Sequence, residues 1–180
     1  MNIKKVVDIC RKSGVITLIN GRDMQWLGDG SAYYPLENAP WFDEVSLCAT
    51  FGITDKQKES IVLKVEHELP DMFDFESTSS GEQFAERNDI SLVYRNTDLL
   101  VFSSEDGALY MKAKYLAPVM AEGLEIYLRK TESGVPYFVC KLGWIVQAVI
   151  TPIILEKKTA EFVSALDLLH EQSLKRRMKK

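Results

Sequence analysis

Three apolar runs, "LEIYLRK" from Leu124, "PYFVCKLG" from Pro136 and "WIVQAVITPI" from Trp144, follow one another with only short breaks at Ser133-Gly134 and Gly143. Connections this short let a chain do little but double back, so the runs are read as an antiparallel meander of three strands. This commits the chain of 180 residues to a core built on a sheet. That length suits one ordinary domain or two small, tightly packed halves.

Upstream, residues 2–12 have the spacing of an amphipathic helix. Ile3, Val6, Val7 and Cys10 fall on the core side, and Lys4, Lys5, Asp8, Arg11 and Lys12 on the other. Ser13-Gly14 ends that helix, as glycine does at a C-cap. "VITLIN" (Val15–Asn20) is a strand rich in β-branched residues, and Asp29-Gly30 predicts a tight hairpin between Trp26-Leu27 and Ala32-Tyr34. "WFDEVSLCATFG" predicts a helix facing inward through Val45, Cys48 and Ala49 and ending at Gly52. Thr54 is an N-cap for a short turn, and "SIVLKVEHEL" (Ser60–Leu69) returns as a strand.

From Glu66 to Asp89 the chain carries eight acids against one arginine, around a Ser/Thr/Gly centre. This predicts a partly mobile connector, with Phe73, Phe75 and Phe84 as anchors to the body; a partner-binding segment is the alternative. Beyond it come the strands "ISLVYR", "LLVFSS" and "ALYM", with turns at Asn96-Thr97-Asp98 and Glu105-Asp106-Gly107. "KAKYLAPVMAEG" predicts a helix of about three turns, broken or kinked at Pro118. The tail from Glu156 is read as a helix with Phe162, Leu166 and Leu169 on one stripe, ending in the basic run "KRRMKK". The expected organisation is an N-terminal half-domain (1–68), an acidic linker (69–89), a C-terminal half-domain (90–155) and a C-terminal helix with a basic tail (156–180). The fold class is α+β, two related halves of antiparallel strands with a helix on each.

No apolar run approaches the ~20 residues that cross a bilayer. The charged start "MNIKKVVDICRKSG" lacks the apolar core of a signal peptide, so a cytoplasmic protein without membrane attachment is expected. Cys10, Cys48 and Cys140 are far apart and read as small buried hydrophobes; His67 and His170 have no ligand-spaced neighbours. No metal and no cofactor is therefore expected. Asp98, Glu105, Asp106, Lys112 and Lys114 resemble the carboxylates and lysine of a metal-dependent nuclease, but Asp106-Gly107 is better explained as hairpin chemistry. Ser79-Ser80-Gly81 lacks a nucleophile elbow, and "NGRDMQWLGDGSA" has no phosphate-cradling pattern. Trp26, Tyr33, Tyr34 and Trp41 read as core aromatics. The chain is read as non-enzymatic.

Four ordered pieces, "MKAKYL" (Met111–Leu116), "LEIYL" (Leu124–Leu128), "VPYFV" (Val135–Val139) and "QAVITPI" (Gln147–Ile153), carry a resemblance. Their order and spacing resemble the closing part of a domain of bacterial DNA sliding clamps, with Thr151 standing where that family has Met. The likeness spans Met111 to Leu155; the first 90 residues match in coarse order alone. The whole chain also resembles small uncharacterised prophage proteins of Gram-positive bacteria. The clamp resemblance implies a DNA clamp-like fold that surrounds duplex DNA through loose phosphate contacts from Lys and Arg on its helices. It also implies docking of replication proteins in an apolar pocket at a sheet edge, where the C-terminal helix extends beyond the family pattern. A ring of such short chains implies a homo-oligomer. Lys4, Lys5, Arg11, Lys12, Lys112 and Lys114 are the candidate DNA-binding residues, compatible with an acidic body of net charge −4. A small adaptor or inhibitor that does not bind DNA is the competing reading, with partner-binding residues unassigned.

Overall fold

The computed structural model of the chain describes residues 1–105 and 107–156, together with Thr159, Glu161–Val163 and Ala165. The elements in chain order are α1 (Ile3–Ser13), β1 (Val15–Asn20), β2 (Gln25–Gly28), β3 (Ala32–Pro35), α2 (Glu44–Phe51), α3 (Asp55–Lys58), β4 (Val62–Glu66), β5 (Gln83–Phe84), β6 (Glu86–Tyr94), β7 (Thr97–Ser104), β8 (Gly107–Lys112), a 3-10 turn (Ala113–Tyr115), β9 (Leu124–Lys130), β10 (Pro136–Leu142) and β11 (Ile145–Ile150). The protein is mixed α+β, with eleven strands in two sheets among the described residues. Two compact units divide the chain: residues 1–84 with 114–151, and residues 85–113 with 152–180.

The first unit holds an eight-stranded sheet of order β4-β1-β2-β3-β11-β10-β9-β5. Within it α1 is followed by the meander β1-β2-β3, and the 3-10 turn by the meander β9-β10-β11. The last strands of the two meanders lie antiparallel, with Val149 opposite Tyr33 and Ile150 opposite Ala32. The sheet is thus mirrored about the β3–β11 seam. β4 is the exception in direction, running parallel to β1 with Val15 opposite Val62.

Local chemistry explains most boundaries. Asn2 caps α1 by accepting from the Lys5 N–H, and Gly14 closes it at φ +76°, where a side chain would be strained. Val6, Val7, Ile9 and Cys10 are its buried residues, while Ile3 is only half-buried. Asp29 holds the β2–β3 hairpin: its Oδ1 accepts from the N–H groups of Ser31 (3.0 Å) and Ala32 (3.1 Å), with Gly30 at φ +86°. Reciprocal capping boxes start α2 at Asp43–Ser46 and α3 at Thr54–Gln57. The phase this gives α2 buries Leu47 and Cys48 and leaves Val45 and Ala49 exposed, which corrects the expected inward face. A second correction concerns residues 113–124. After the 3-10 turn the chain makes only isolated turns, such as Val119 N–H to Leu116 O at 3.0 Å, and no α-helix. Pro118 has no N–H and its ring opposes the carbonyl four residues back, so an α-helix cannot pass through it unbroken.

The acidic stretch is tied down. Phe73 and Phe75 pack on the cluster of Trp26, Tyr33 and Tyr137, with ring centroids 4.7 Å apart for Trp26–Phe75 and 5.0 Å for Phe73–Tyr137. The Tyr137 hydroxyl accepts from the Asp74 N–H at 2.9 Å. Arg129, 2% exposed, donates to Glu82 (2.7 and 3.0 Å) and to the carbonyls of Asp74 (2.9 Å) and Glu76 (2.8 Å). Lys141, 3% exposed, reaches both oxygens of Glu82 at 2.5 and 2.7 Å. The chain then adds β5 to the β9 edge, pairing Gln83 with Leu128. One carboxylate answering two buried cations is what holds this strap to the sheet. Phe84 remains exposed and meets Tyr127 edge-on.

The second unit is the antiparallel sheet β6-β7-β8 with a core of Leu99, Val101, Tyr110, Leu155 and Val163. Ile153 bridges to Tyr110, its N–H donating to the Tyr110 carbonyl at 2.8 Å, and Arg95 pairs with Glu156. Thr159, Glu161–Val163 and Ala165 are helical; Val163 is buried and Phe162 is exposed, reversing the expectation for Phe162. Asp106, Leu166, Leu169 and the run Lys175–Lys180 lie outside the described residues.

Burial pushes the Glu82 carboxyl up, but hydrogen bonds from Lys141 and Arg129 and their charges outweigh it and hold the group below its ordinary value. A depressed carboxylate stabilises the fold fully above its unfolded value, about 4.3, and loses that contribution as pH falls through the lower folded one. Glu82→Ala strands the buried Lys141 ammonium and leaves Arg129 with Asp74 (3.5 Å) and two backbone carbonyls, and is expected to cost about 3–5 kcal/mol in urea unfolding at pH 7. The difference from wild type should shrink below about pH 4.

Candidate functional site

At ~100° per residue, Arg11, Lys4, Asp8, Lys12 and Lys5 share one arc of α1 about 120° wide. Lys4, Lys5, Asp8 and Lys12 are exposed, and Arg11 is half-buried. Two of these cations also serve the fold. The Lys5 ammonium donates to the Ala117 carbonyl at 3.2 Å, and Arg11 donates to the Phe51 carbonyl while facing Asp8 at 3.8 Å. The Asn2 N–H donates to the Pro118 carbonyl at 2.8 Å, so the first turn of α1 lies against the segment after the 3-10 turn. Lys4 and Lys12 have no ion pair among the described residues.

Lys114 belongs to the same unit but points elsewhere. Its ammonium stands 3.8 Å from Asp29 Oδ2 and 4.8 Å from the centre of the Tyr115 ring. Asp29, its side chain 2% exposed, also accepts from the Tyr115 hydroxyl at 3.0 Å, and the Tyr34 hydroxyl donates to the Tyr115 carbonyl at 2.8 Å. Burial, then the charge of Asp29, pushes the Tyr115 phenol well above its ordinary value and keeps it a donor. This is a structural network that locks the β2–β3 hairpin to the 3-10 turn. Lys112 lies in the second unit, half-buried at the end of β8 opposite Leu99. The four α1 residues therefore share one helix face; Lys114 is engaged with Asp29 and Tyr115, and Lys112 belongs to the second unit.

Among the described residues no group of three or more His, Cys, Asp or Glu is placed to hold a metal ion; Asp106 of the nuclease constellation lies outside them. No described helix is long and apolar enough to cross a membrane. Cys10, Cys48 and Cys140 are free and buried. Burial pushes Cys140 up to about 12, and burial with the Asp29 charge does the same for Cys10, also to about 12. At pH 8 these two thiols should resist Ellman's reagent in the folded protein and react at once in denaturant; fast native reaction would contradict this packing.

A second surface has no counterpart among the sequence-predicted sites. An open cleft of about 380 Å³ has Asp23, Met24, Leu36, Glu37, Trp41 and Ile145 among its lining residues, with Gln25 beside them. Trp41, expected in the core with Trp26, Tyr33 and Tyr34, is 59% exposed, whereas those three are buried. The cause lies in its neighbour. Gln25, 2% exposed, accepts from the Phe42 N–H (2.7 Å) and donates to the Phe42 carbonyl (2.6 Å) and to Asn20 Oδ1 (2.6 Å). Phe42 is drawn inward against Phe51, and Trp41 is left on the outside. Ile145 is 52% exposed, and Trp144 beside it on the β10–β11 turn is 77% exposed. An adjacent Trp-Phe pair after a proline was the available signal, since only one of the two rings can take the inward position.

Gln25→Ala removes the side-chain partners of both the Phe42 N–H and the Phe42 carbonyl. It is expected to cost about 1–3 kcal/mol for each group left unpaired, and to broaden the Trp41 indole resonance as the loop loosens.

No protein-family model, no curated protein and no solved structure matches this chain.

Proposed function

We propose that this chain is a non-enzymatic, clamp-like binding protein of phage or mobile-element origin that meets duplex DNA through the exposed arc of α1. The observation that carries the reading is the concentration of Lys4, Lys5, Arg11 and Lys12 on one helix face of an otherwise acidic protein. Two features support the clamp-like part. The first unit repeats a helical turn followed by a three-strand meander about the β3–β11 seam. The first turn of α1 and the segment near Pro118 lie together, which brings the start of each repeat to one place. The chemistry needs no bond-breaking: flexible ammonium groups meet phosphates without reading bases, and their weakness permits sliding. Lys5 and Arg11, each held by a backbone carbonyl, present fixed charges; Lys4 and Lys12 supply mobile ones. Homo-oligomerisation belongs to this reading, because a single clamp-like unit does not close a ring.

The test is fluorescence anisotropy with a labelled duplex across a salt series. Four phosphate contacts give a slope of about −3.6 in log K against log salt, and Lys4→Ala with Lys12→Ala should bring it to about −1.8. Both residues are exposed, so the double variant should fold normally. Affinity that is absent, or unchanged in slope by the double substitution, would sink the DNA reading and leave an adaptor or inhibitor acting on proteins.

A further inference from the structure

The cleft beside Trp41 does not belong to the basic arc, and its chemistry is the opposite. Its two charged lining residues, Asp23 and Glu37, are both acids, and neither is ion-paired among the described residues. Its apolar lining is Met24, Leu36, Trp41 and Ile145, of which Trp41 and Ile145 keep more than half their surface in water. Trp41 and Ile145 are two large apolar side chains exposed at one opening, and Trp144, next to Ile145 in the chain, is exposed as well. Such a concentration on a protein surface marks a contact site. The wall is also built in advance. Two hydrogen bonds from Gln25 fix the Phe42 backbone next to Trp41, and the Leu36 N–H donates to the Gln25 carbonyl at 2.7 Å. An occupant would have little of this wall to order on binding.

Charge and shape together select the occupant. An acidic lining repels phosphate, which argues against nucleic acid and anionic lipid at this place. Met24, Leu36, Trp41 and Ile145 favour an apolar stem, and an indole face with carboxylates nearby favours a cation at its end. Lysine and arginine side chains combine those parts, and a volume of about 380 Å³ holds one such side chain with part of its neighbours. We infer that this cleft docks a basic segment of a partner protein, seating a lysine or arginine along Trp41 toward Asp23 and Glu37 while Ile145 covers an adjoining apolar residue. The lining comes from the start of β2 and the residues before it, the segment after β3 and the first residue of β11, strands that lie inside the sheet order and not at its edges. It is independent of DNA binding by α1.

The probe is acetyl-Leu-Arg-amide, with acetyl-Leu-Glu-amide as its control, titrated against full-length ¹⁵N-labelled protein while the three indole N–H resonances are followed. Trp41→Phe assigns the signal. The expected result is a saturable shift of the Trp41 indole with the arginine ligand and at least a fivefold weaker response to the glutamate one. Asp23→Asn with Glu37→Gln should erase that preference at unchanged thermal stability. A Trp41 resonance that stays still, or moves equally with both ligands, overturns the proposal. A resonance that shifts on raising protein concentration alone also overturns it, because the occupant is then a second copy, whose Lys175–Lys180 run offers similar chemistry.

Discussion

The antiparallel seam between β3 and β11 is the contact on which the first unit depends. It joins strands from opposite ends of the chain with few ladder residues of its own. One end of it is reinforced where the Thr151 N–H (2.8 Å) and hydroxyl (3.1 Å) both donate to the Ser31 carbonyl. Because the seam exists, two three-strand meanders become one sheet. Asp29 beside it can be shared by the hairpin, Tyr115 and Lys114, and the cleft acquires walls from both meanders. The seam lets the side chains on either side of it act as one surface.

Much of this was legible wherever the signal is local. The Val15–Asn20 strand, the Asp29-Gly30 hairpin, the Gly14 and Gly52 caps and the closing meander each follow from turn chemistry within a few residues. Reading failed where a distant partner decides. The composition of 66–89 is that of a connector, and nothing nearby announces that Arg129 and Lys141, 47 and 59 positions from Glu82, will bury their charges against it. At Lys114-Tyr115 the helical pattern is real, but Pro118 denies it a second turn. Trp41 was misplaced for a similar reason: aromatic content counts toward a core until a particular contact, here Gln25 on Phe42, decides which ring goes in. The basic arc of α1 was the part of the candidate site that periodicity could deliver, since it needs only helical geometry.

The two surfaces on the first unit carry opposite signs, and this separation matters for a protein of small net negative charge. A basic arc on α1 and an acidic cleft beside Trp41 can each attract its own class of ligand without competing for it. Charge buried between them is neutralised locally, Asp29 by Lys114 and Glu82 by Arg129 and Lys141. The outward-facing charges are therefore the ones available to partners.

The route of the chain through its two units has a consequence during synthesis. The path leaves the first unit after residue 84, returns at 114 and leaves again after 151. On the ribosome, β3 is made long before β11, since Ser31 and Thr151 are 120 positions apart. Until β11 emerges, the inner edge of β3 presents unpaired peptide groups beside buried-type residues such as Tyr33 and Tyr34. The nascent chain must carry that open edge through most of translation, so its yield in a cell depends on how quickly the last third follows the first.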